Sequence, residues 1–131
     1  MSATNTEVTA LPAICGAASD GGRATRQTLD RVGDKWSVLV ISALGLAGPL
    51  RFTALAHQIP GISQRMLTLT LRHLERDGLL SRTAHAEVPP RVEYTLTPLG
   101  ESLRHLVYGL AQWAMEHNDQ IEASRRSYDA S

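Results

Sequence analysis

Several side chains with hydrogen-bonding groups recur on one side of the segment that begins at Ser63 and ends at Gly78. At about 100° of rotation per residue of an α-helix, the residues on this outer face are Gln64, Arg65, Thr68, Leu69, Arg72 and Arg76. Guanidinium groups match guanine O6 and N7 or a phosphate, an amide suits adenine, and a methyl-bearing group suits the thymine methyl. The outer face therefore has the chemistry to contact duplex DNA, although the same residues also occur on ordinary solvated helices.

The rest of this segment has the features of a helix packed on a core. Met66, Leu67, Thr70, Leu71 and Leu74 fall on the side opposite the outer face. Ser63 can cap the helix by accepting a hydrogen bond from a free backbone N–H, and Gly78 can close it in the left-handed conformation.

A second, shorter helix is predicted just before, over residues 52–59, with an apolar stripe at Phe52, Leu55 and Ile59. A compact turn at residues 60–62 separates the two helices. Two helices joined by a glycine-containing turn predict a helix-turn-helix, in which the second helix reads DNA.

Two strands, residues 79–87 and 91–97, are predicted after the second helix, with a Pro-Pro pair at the tip of the hairpin. Proline donates no ladder hydrogen bond, so the pair belongs at the tip. A hairpin after a recognition helix is a wing, and its arginines are expected to meet phosphates or the minor groove. We therefore predict a mainly α fold with a small β-hairpin wing, with Arg82, His85 and Arg91 on the hairpin.

Helices are predicted on both sides of this unit. Residues 23–33 form a first helix with Leu29 and Val32 inward, and the nearly all-apolar segment 38–46 predicts a buried helix. Thr97 and Pro98 begin a last helix, whose apolar stripe is too long for the small domain to cover. Either a symmetric partner covers it or it folds back on its own domain. The stripe contains Leu103, Leu106, Val107, Leu110 and Trp113.

Composition limits the classes of protein. The 131 residues suit one domain with tails, namely a flexible segment 1–22 and a polar, fraying segment 118–131. No apolar run reaches the roughly 20 residues of a membrane span, and no secretory signal is recognisable. The net charge is zero, but residues 23–91 hold ten Arg/Lys against five Asp/Glu, a local charge of +5. The basic charge thus lies where DNA would bind.

Nothing in the chain predicts an enzyme, a cofactor or a metal site. The five histidines are scattered over different predicted elements, and no nucleophile motif, phosphate loop or zinc-ligand spacing occurs. The single cysteine, Cys15, is either a bystander or a redox-sensing thiolate, which would require exposure and a lowered pKa.

Several motifs together resemble the HxlR-type winged helix-turn-helix transcription regulators, relatives of the MarR group. They are Gly33-Asp34-Lys35-Trp36, Gly48-Pro49-Leu50-Arg51-Phe52, Pro60-Gly61-Ile62-Ser63, Leu67-Thr68, Leu71-Arg72, Leu74-Glu75, Asp77-Gly78-Leu79 and the run from Glu87 to Tyr94. The resemblance covers residues 23–117, with a dimerisation helix over 98–117. It implies a bacterial or archaeal, cytoplasmic and nucleoid-associated homodimer whose first and last helices pair, which adds Leu29 to the dimer stripe.

The resemblance also implies specific DNA contacts. Ser63, Arg65, Thr68 and Arg72 match the family's positions on the helix, Arg91 matches on the wing, and Arg51 is an expected phosphate contact. Two departures matter. The family often has a polar residue where this chain has Leu69, so Leu69 would contact a thymine methyl or nothing. The Cys-Pro of many members is replaced at Arg23, so a redox role is not carried over to Cys15.

We therefore expect a sequence-specific regulator, more a repressor than an activator, that binds a palindromic operator in double-stranded DNA as a homodimer. A small-molecule or redox signal would release it, with a small apolar effector near Trp36, Tyr108 or Trp113. The alternative, favoured by the neutral net charge, is a winged-helix module that binds protein through the same face.

Overall fold

The computed structural model describes residues 20–131, which form five helices and one antiparallel hairpin. Cys15 and the predicted tail up to residue 19 lie outside the described residues. The chain divides into two units between Val38 and Leu39. In chain order, the elements are α1 (Asp20–Gly33), α2 (Lys35–Ala47), α3 (Phe52–Gln58), α4 (Gln64–Arg76), β1 (Leu80–His85), β2 (Arg91–Leu96) and α5 (Pro98–Asp129).

The first unit contains α1 and the beginning of α2. A carboxylate oxygen of Asp34 accepts hydrogen bonds from the backbone N–H of Ser37 at 3.1 Å and from its hydroxyl at 2.7 Å. This cap starts α2 at Lys35, three residues before the predicted start, because Asp34 satisfies a backbone donor that would otherwise be free. Trp36 is half-buried, and the Lys35 ammonium lies 4.4 Å from the centroid of its ring.

The core of the second unit comes from every helix of that unit and from the beginning of β1. The apolar character of α2 predicts burial, and its middle, from Val40 to Leu44, supplies four buried residues, whereas Leu39 and Leu46 are exposed. Burial of apolar area of this kind is the main favourable term in folding. The buried apolar residues are Val40, Ile41, Ala43, Leu44, Leu55, Ile59, Leu67, Leu71, Leu74, Leu79, Leu80 and Val107.

The turn between α3 and α4 changes the direction of the chain between the two helices. Gly61 has a φ of 86°, a left-handed conformation that only glycine adopts readily. The N–H of Ile62 then donates to the carbonyl of Ile59 at 3.3 Å. This local geometry confirms the predicted helix–turn–helix sequence of elements.

The hairpin is shorter than predicted at the tip. β1 and β2 pair in antiparallel register from Leu80 opposite Leu96 to His85 opposite Arg91. Leu50 adds a bridge at the free edge of β2, since its N–H donates to Tyr94 at 3.0 Å and its carbonyl accepts from Tyr94 at 2.8 Å. This bridge attaches the start of the helix-turn-helix to the wing.

Three elements meet at one junction, where α4 ends, β1 begins and α5 begins. Gly78 closes α4 with a φ of 77°. The Thr97 hydroxyl donates to the Gly78 carbonyl at 2.6 Å and accepts from the Gly100 N–H at 3.1 Å. The Thr97 N–H donates to the carbonyl of Leu79 at 3.2 Å. Thr97 therefore caps α5 and also joins it to the end of α4.

The last helix is longer than predicted, because α5 continues through Asp129 and does not fray after residue 117. Beyond Gly109 the segment contains no glycine or proline and is rich in good helix formers. Glu122 and Arg125 form an i, i+3 ion pair at 3.0 Å on its surface. Among the residues that the structure describes, no helix combines the length and apolar content that a membrane span requires.

Candidate nucleic-acid interface

The two faces of α4 have the burial that its periodicity predicts. Leu67, Thr70, Leu71 and Leu74 are buried, and Met66 is half-buried. On the outer face only Thr68 is half-buried, and the other five residues are exposed. The core contacts of the buried side hold the outer face in a fixed orientation toward solvent.

The outer face forms an open groove of about 580 Å³ lined by Gln64, Arg65, Thr68, Leu69 and Arg72. Arg65 and Arg72 form no ion pair with any of the residues that the structure describes, so their guanidinium donors face water. The Thr68 hydroxyl donates to the Gln64 carbonyl at 2.9 Å, which uses its one donor within the helix. The donors free for a ligand in this groove thus come from the two arginines and the Gln64 amide.

The N-terminus of α4 is suited to an anion. Ser63 caps the helix by accepting a hydrogen bond from the Met66 N–H at 3.0 Å, as predicted, and its side chain is exposed. The first turn contains no acidic residue. A helix N-terminus carries a partial positive charge that favours phosphate, and the free hydroxyl proton of Ser63 adds a donor there.

A smaller cleft of about 290 Å³ lies between α4 and the hairpin. It is lined by Phe52, Thr68, Leu71, Arg72, Glu75, Arg82 and Tyr94. Within it, Arg82 Nε lies 3.9 Å from a carboxylate oxygen of Glu75, and both side chains are about half exposed. The sequence alone does not indicate this pairing, because the two residues belong to different elements. Arg82 is therefore near α4 but partly neutralised.

Arg91 is more enclosed than a free wing arginine. It donates toward Glu87 at 3.2 Å and lies 3.9 Å from Glu93. Its Nε is buried and makes no hydrogen bond with the described residues. His85 Nε2 lies 2.7 Å from the same Glu93 carboxylate. Arg91 and Glu93 lie two residues apart on one face of β2, so their proximity follows from the predicted strand. The contact between Glu93 and His85 depends instead on the strand pairing.

The remaining predicted DNA contacts lie at the edges of the site. Arg51 is exposed at the position before α3, and its side chain makes no capping hydrogen bond there. Arg76 is exposed in the last turn of α4. Both place positive charge on the second unit, on the same helix-turn-helix as the groove.

The predicted dimer stripe on α5 divides into two parts. Leu106, Leu110 and Trp113 are exposed, Leu106 by 72%, and Leu103 is half-buried. Val107 is only 4% exposed and belongs to the core of its own chain, so the structure removes it from the dimer stripe. At about 100° per residue, Val107 lies close to the buried Gly100 and away from Leu106. Leu29, predicted to point inward, is instead 48% exposed on α1, in the first unit.

The residues expected near an effector are placed as follows. Trp113 stacks on His117 with ring centroids 4.5 Å apart, and a groove of about 270 Å³ runs along α5 beside them. Tyr108 is exposed on the same helix, and Trp36 belongs to the first unit. No group of three His, Cys, Asp or Glu side chains within residues 22–131 is arranged to hold a metal ion.

Comparison with known proteins places the chain in a family. A sequence model described as HxlR-like helix-turn-helix matches residues 31–122. The chain belongs to the HxlR-like family. The HxlR-like chain is 46% identical to the HTH-type transcriptional regulator YtfH of Escherichia coli over 101 residues. The aligned segment covers 77% of this chain and 79% of that relative.

Solved structures agree with this assignment. The transcriptional regulator YtfH from Salmonella typhimurium superposes with a TM-score of 0.71 at 41% identity, over 78% of this chain and 90% of that one. The redox regulator HypR in its reduced form superposes with a TM-score of 0.68 at 40% identity, over 73% of this chain and 94% of that one. The prediction of a winged helix-turn-helix fold is confirmed, and the named relatives of this HxlR-like chain are transcriptional regulators.

Proposed function

We propose that this protein regulates transcription by binding duplex DNA with α4 in the major groove and the wing beside it. The observation that carries the proposal is the groove on α4, where Arg65 and Arg72 face solvent without a partner among the described residues. In a helix-turn-helix the second helix presents such residues to base edges. The capped, acid-free N-terminus of α4 supports phosphate binding at the end of the same helix.

The second part of the proposal is a homodimer on a palindromic operator. Leu106, Leu110 and Trp113 leave an exposed apolar stripe on α5, and a symmetric partner would remove it from water. Two copies of α4 would then read half-sites about one helical turn apart. Leu110→Asp should convert the dimer to monomer in sedimentation velocity, whereas Leu46→Asp, at an exposed leucine on α2, should leave the dimer intact. A dimer that survives Leu110→Asp would exclude this stripe as the interface.

The repressor role requires only that the dimer occupies promoter DNA.

Selection of duplexes from a random pool, followed by fluorescence anisotropy on the selected sequence, tests the sequence specificity of DNA binding. Arg65→Ala should weaken binding by about 1–3 kcal/mol if Arg65 contacts a base. Arg125→Ala is the matched control, since Arg125 is an exposed arginine near the end of α5. Equal losses on selected and scrambled DNA would assign Arg65 to a phosphate.

A winged-helix module that binds protein is the second candidate. The zero net charge and the carboxylates beside Arg82 and Arg91 favour it. Its test is salt dependence, because each neutralised phosphate steepens the fall of log K with log salt by about 0.9. Absence of duplex binding at low salt would favour the module, and a steep slope with a selected sequence would favour the regulator.

We also propose that a signal releases the operator. The structural neighbour HypR is named a redox regulator, and Cys15 is the single thiol of this chain. If Cys15 senses oxidants, diamide should lower the operator affinity of the natural protein and leave that of Cys15→Ser unchanged. The same loss in both proteins would assign the response to another group. A small-molecule effector would instead raise the melting temperature of the protein and lower its operator affinity.

A further inference from the structure

Leu69 occupies an unusual place on the outer face of α4. Its side chain is 43% exposed, although the opposite side of the same helix is packed on the core. It lines the groove together with Arg65, four residues before it, and Arg72, three residues after it. At the i−4 and i+3 positions, both arginines lie on the same side of the helix as Leu69. An apolar group therefore stands between two free guanidinium groups.

The neighbouring Thr68 side chain offers a ligand no hydrogen-bond donor in this part of the groove. The Thr68 hydroxyl donates its proton to the Gln64 carbonyl, so it has no proton left to donate to a ligand. The middle of the groove thus offers the Leu69 hydrocarbon and no donor, whereas the arginines at its two ends offer hydrogen-bond donors. A polar group of a ligand that was buried against the Leu69 side chain would lose its hydrogen bonds to water, which is costly. The complementary group at this position is itself apolar.

In the major groove of duplex DNA one exposed group is apolar, namely the C5-methyl group of thymine. Residues 65 and 72 are separated by about 10 Å along a helix axis, at about 1.5 Å per residue. That length corresponds to about three base-pair steps of 3.4 Å. We propose that Leu69 reads the C5-methyl group of a pyrimidine, in a base pair between the groups bound by Arg65 and Arg72. This inference rests on the proposed DNA binding and names the base chemistry that the site selects.

Deoxyuridine tests the inference, because it differs from thymidine only by the missing methyl group. In the selected operator, each thymine would be replaced in turn by deoxyuridine, symmetrically in both half-sites. One methyl group buried on binding corresponds to about a fourfold change in affinity, or about 16-fold for the two half-sites. We expect one thymine position to show this loss and the others to show little. Specific binding with no deoxyuridine-sensitive thymine would overturn the inference.

Variants of Leu69 assign the effect to this side chain. In Leu69→Ala the loss on deoxyuridine at the sensitive position should disappear, whereas Leu46→Ala, at an exposed leucine on α2, should retain it. Leu69→Gln should shift the preferred base at that position from thymine to adenine, since a side-chain amide pairs with adenine N6 and N7. A deoxyuridine effect that persists in Leu69→Ala would assign the methyl contact to another residue and overturn the inference.

A third comparison separates the methyl group from the rest of the base. Placing 5-methylcytosine opposite guanine at the sensitive position, and comparing it with unmodified cytosine, adds the methyl group alone. The methylated duplex should bind about fourfold more tightly at each half-site, and equal affinities would contradict the inference. Failure of the proposed function has a different result, because then no selected operator exists and scrambled DNA binds equally.

Discussion

Replacing Glu75 by glutamine should strengthen the binding of this protein to duplex DNA. Arg82 Nε lies 3.9 Å from the Glu75 carboxylate in the cleft between α4 and the hairpin. Both side chains are about half exposed, and ion pairs of this kind contribute about 0.2–1 kcal/mol. A phosphate near the wing must compete with Glu75 for Arg82. Glu75→Gln removes that competition and should raise the affinity by up to about fivefold per subunit.

The salt dependence gives an independent measure of the same change. If the freed Arg82 neutralises one more phosphate in each subunit, the slope of log K against log salt steepens by about 0.9 per subunit. The assay is anisotropy with a labelled duplex over a series of salt concentrations. Glu101→Gln is the matched control, since it also removes one negative charge and breaks an ion pair, with Arg104 at 2.8 Å on α5.

A double variant shows whether the effect passes through Arg82. In Glu75→Gln with Arg82→Ala, the steeper slope should be lost, because no guanidinium remains to be released. If the double variant keeps the full gain, the reasoning is refuted, and Glu75 acts only by repelling phosphates directly. An unchanged slope and affinity in the single variant would also refute it, because Arg82 would then make no contact with DNA.

The remaining predictions concern stability and the cap of α4. Gly100→Ala should lower the free energy of unfolding by about 1–3 kcal/mol, measured by urea denaturation, because a Cβ there would overlap the backbone carbonyl of Leu79, which cannot move alone. Gly45→Ala should cost less, because its Cβ would meet only the flexible side chain of Arg104; an equal or larger cost would contradict this reasoning. Ser63→Ala should cost about 0.5–2 kcal/mol, and Ser63→Asp should restore that stability while weakening DNA binding. If Ser63→Asp loses both stability and DNA binding, the capping role of Ser63 and its role in DNA binding are not separable, which would contradict this prediction.

The helix-turn-helix could be predicted closely because its signals are local. Ser63 and Gly78 set the ends of α4 through a cap and a left-handed φ. The helical period of its apolar residues indicates which face is buried. The family and the winged fold could be predicted for the same reason, because short motifs with fixed spacing indicate both. Comparison with known proteins confirms the two predictions.

Other features depend on contacts that are distant in sequence or on packing. Glu93 meets His85 only because the two strands pair in one register. Val107 has the same apolar character as the stripe around it, so its burial depends on which side of α5 meets the domain. The end of α5 was predicted about twelve residues too early, because a polar helix held by local propensity lacks an apolar period.

The junction at Thr97 has a consequence for the spacing between the half-sites of an operator. Because Thr97 bonds to the carbonyl of Gly78 and caps α5, the end of the recognition helix and the start of α5 are held together. In a dimer formed along α5, the crossing angle of the two long helices would then set the distance between the recognition helices. Over 32 residues, about 48 Å, a tilt of about 5° displaces one end by about 4 Å, more than one base-pair step. Substitutions far from the DNA along α5 would thus change which half-site separation the protein prefers.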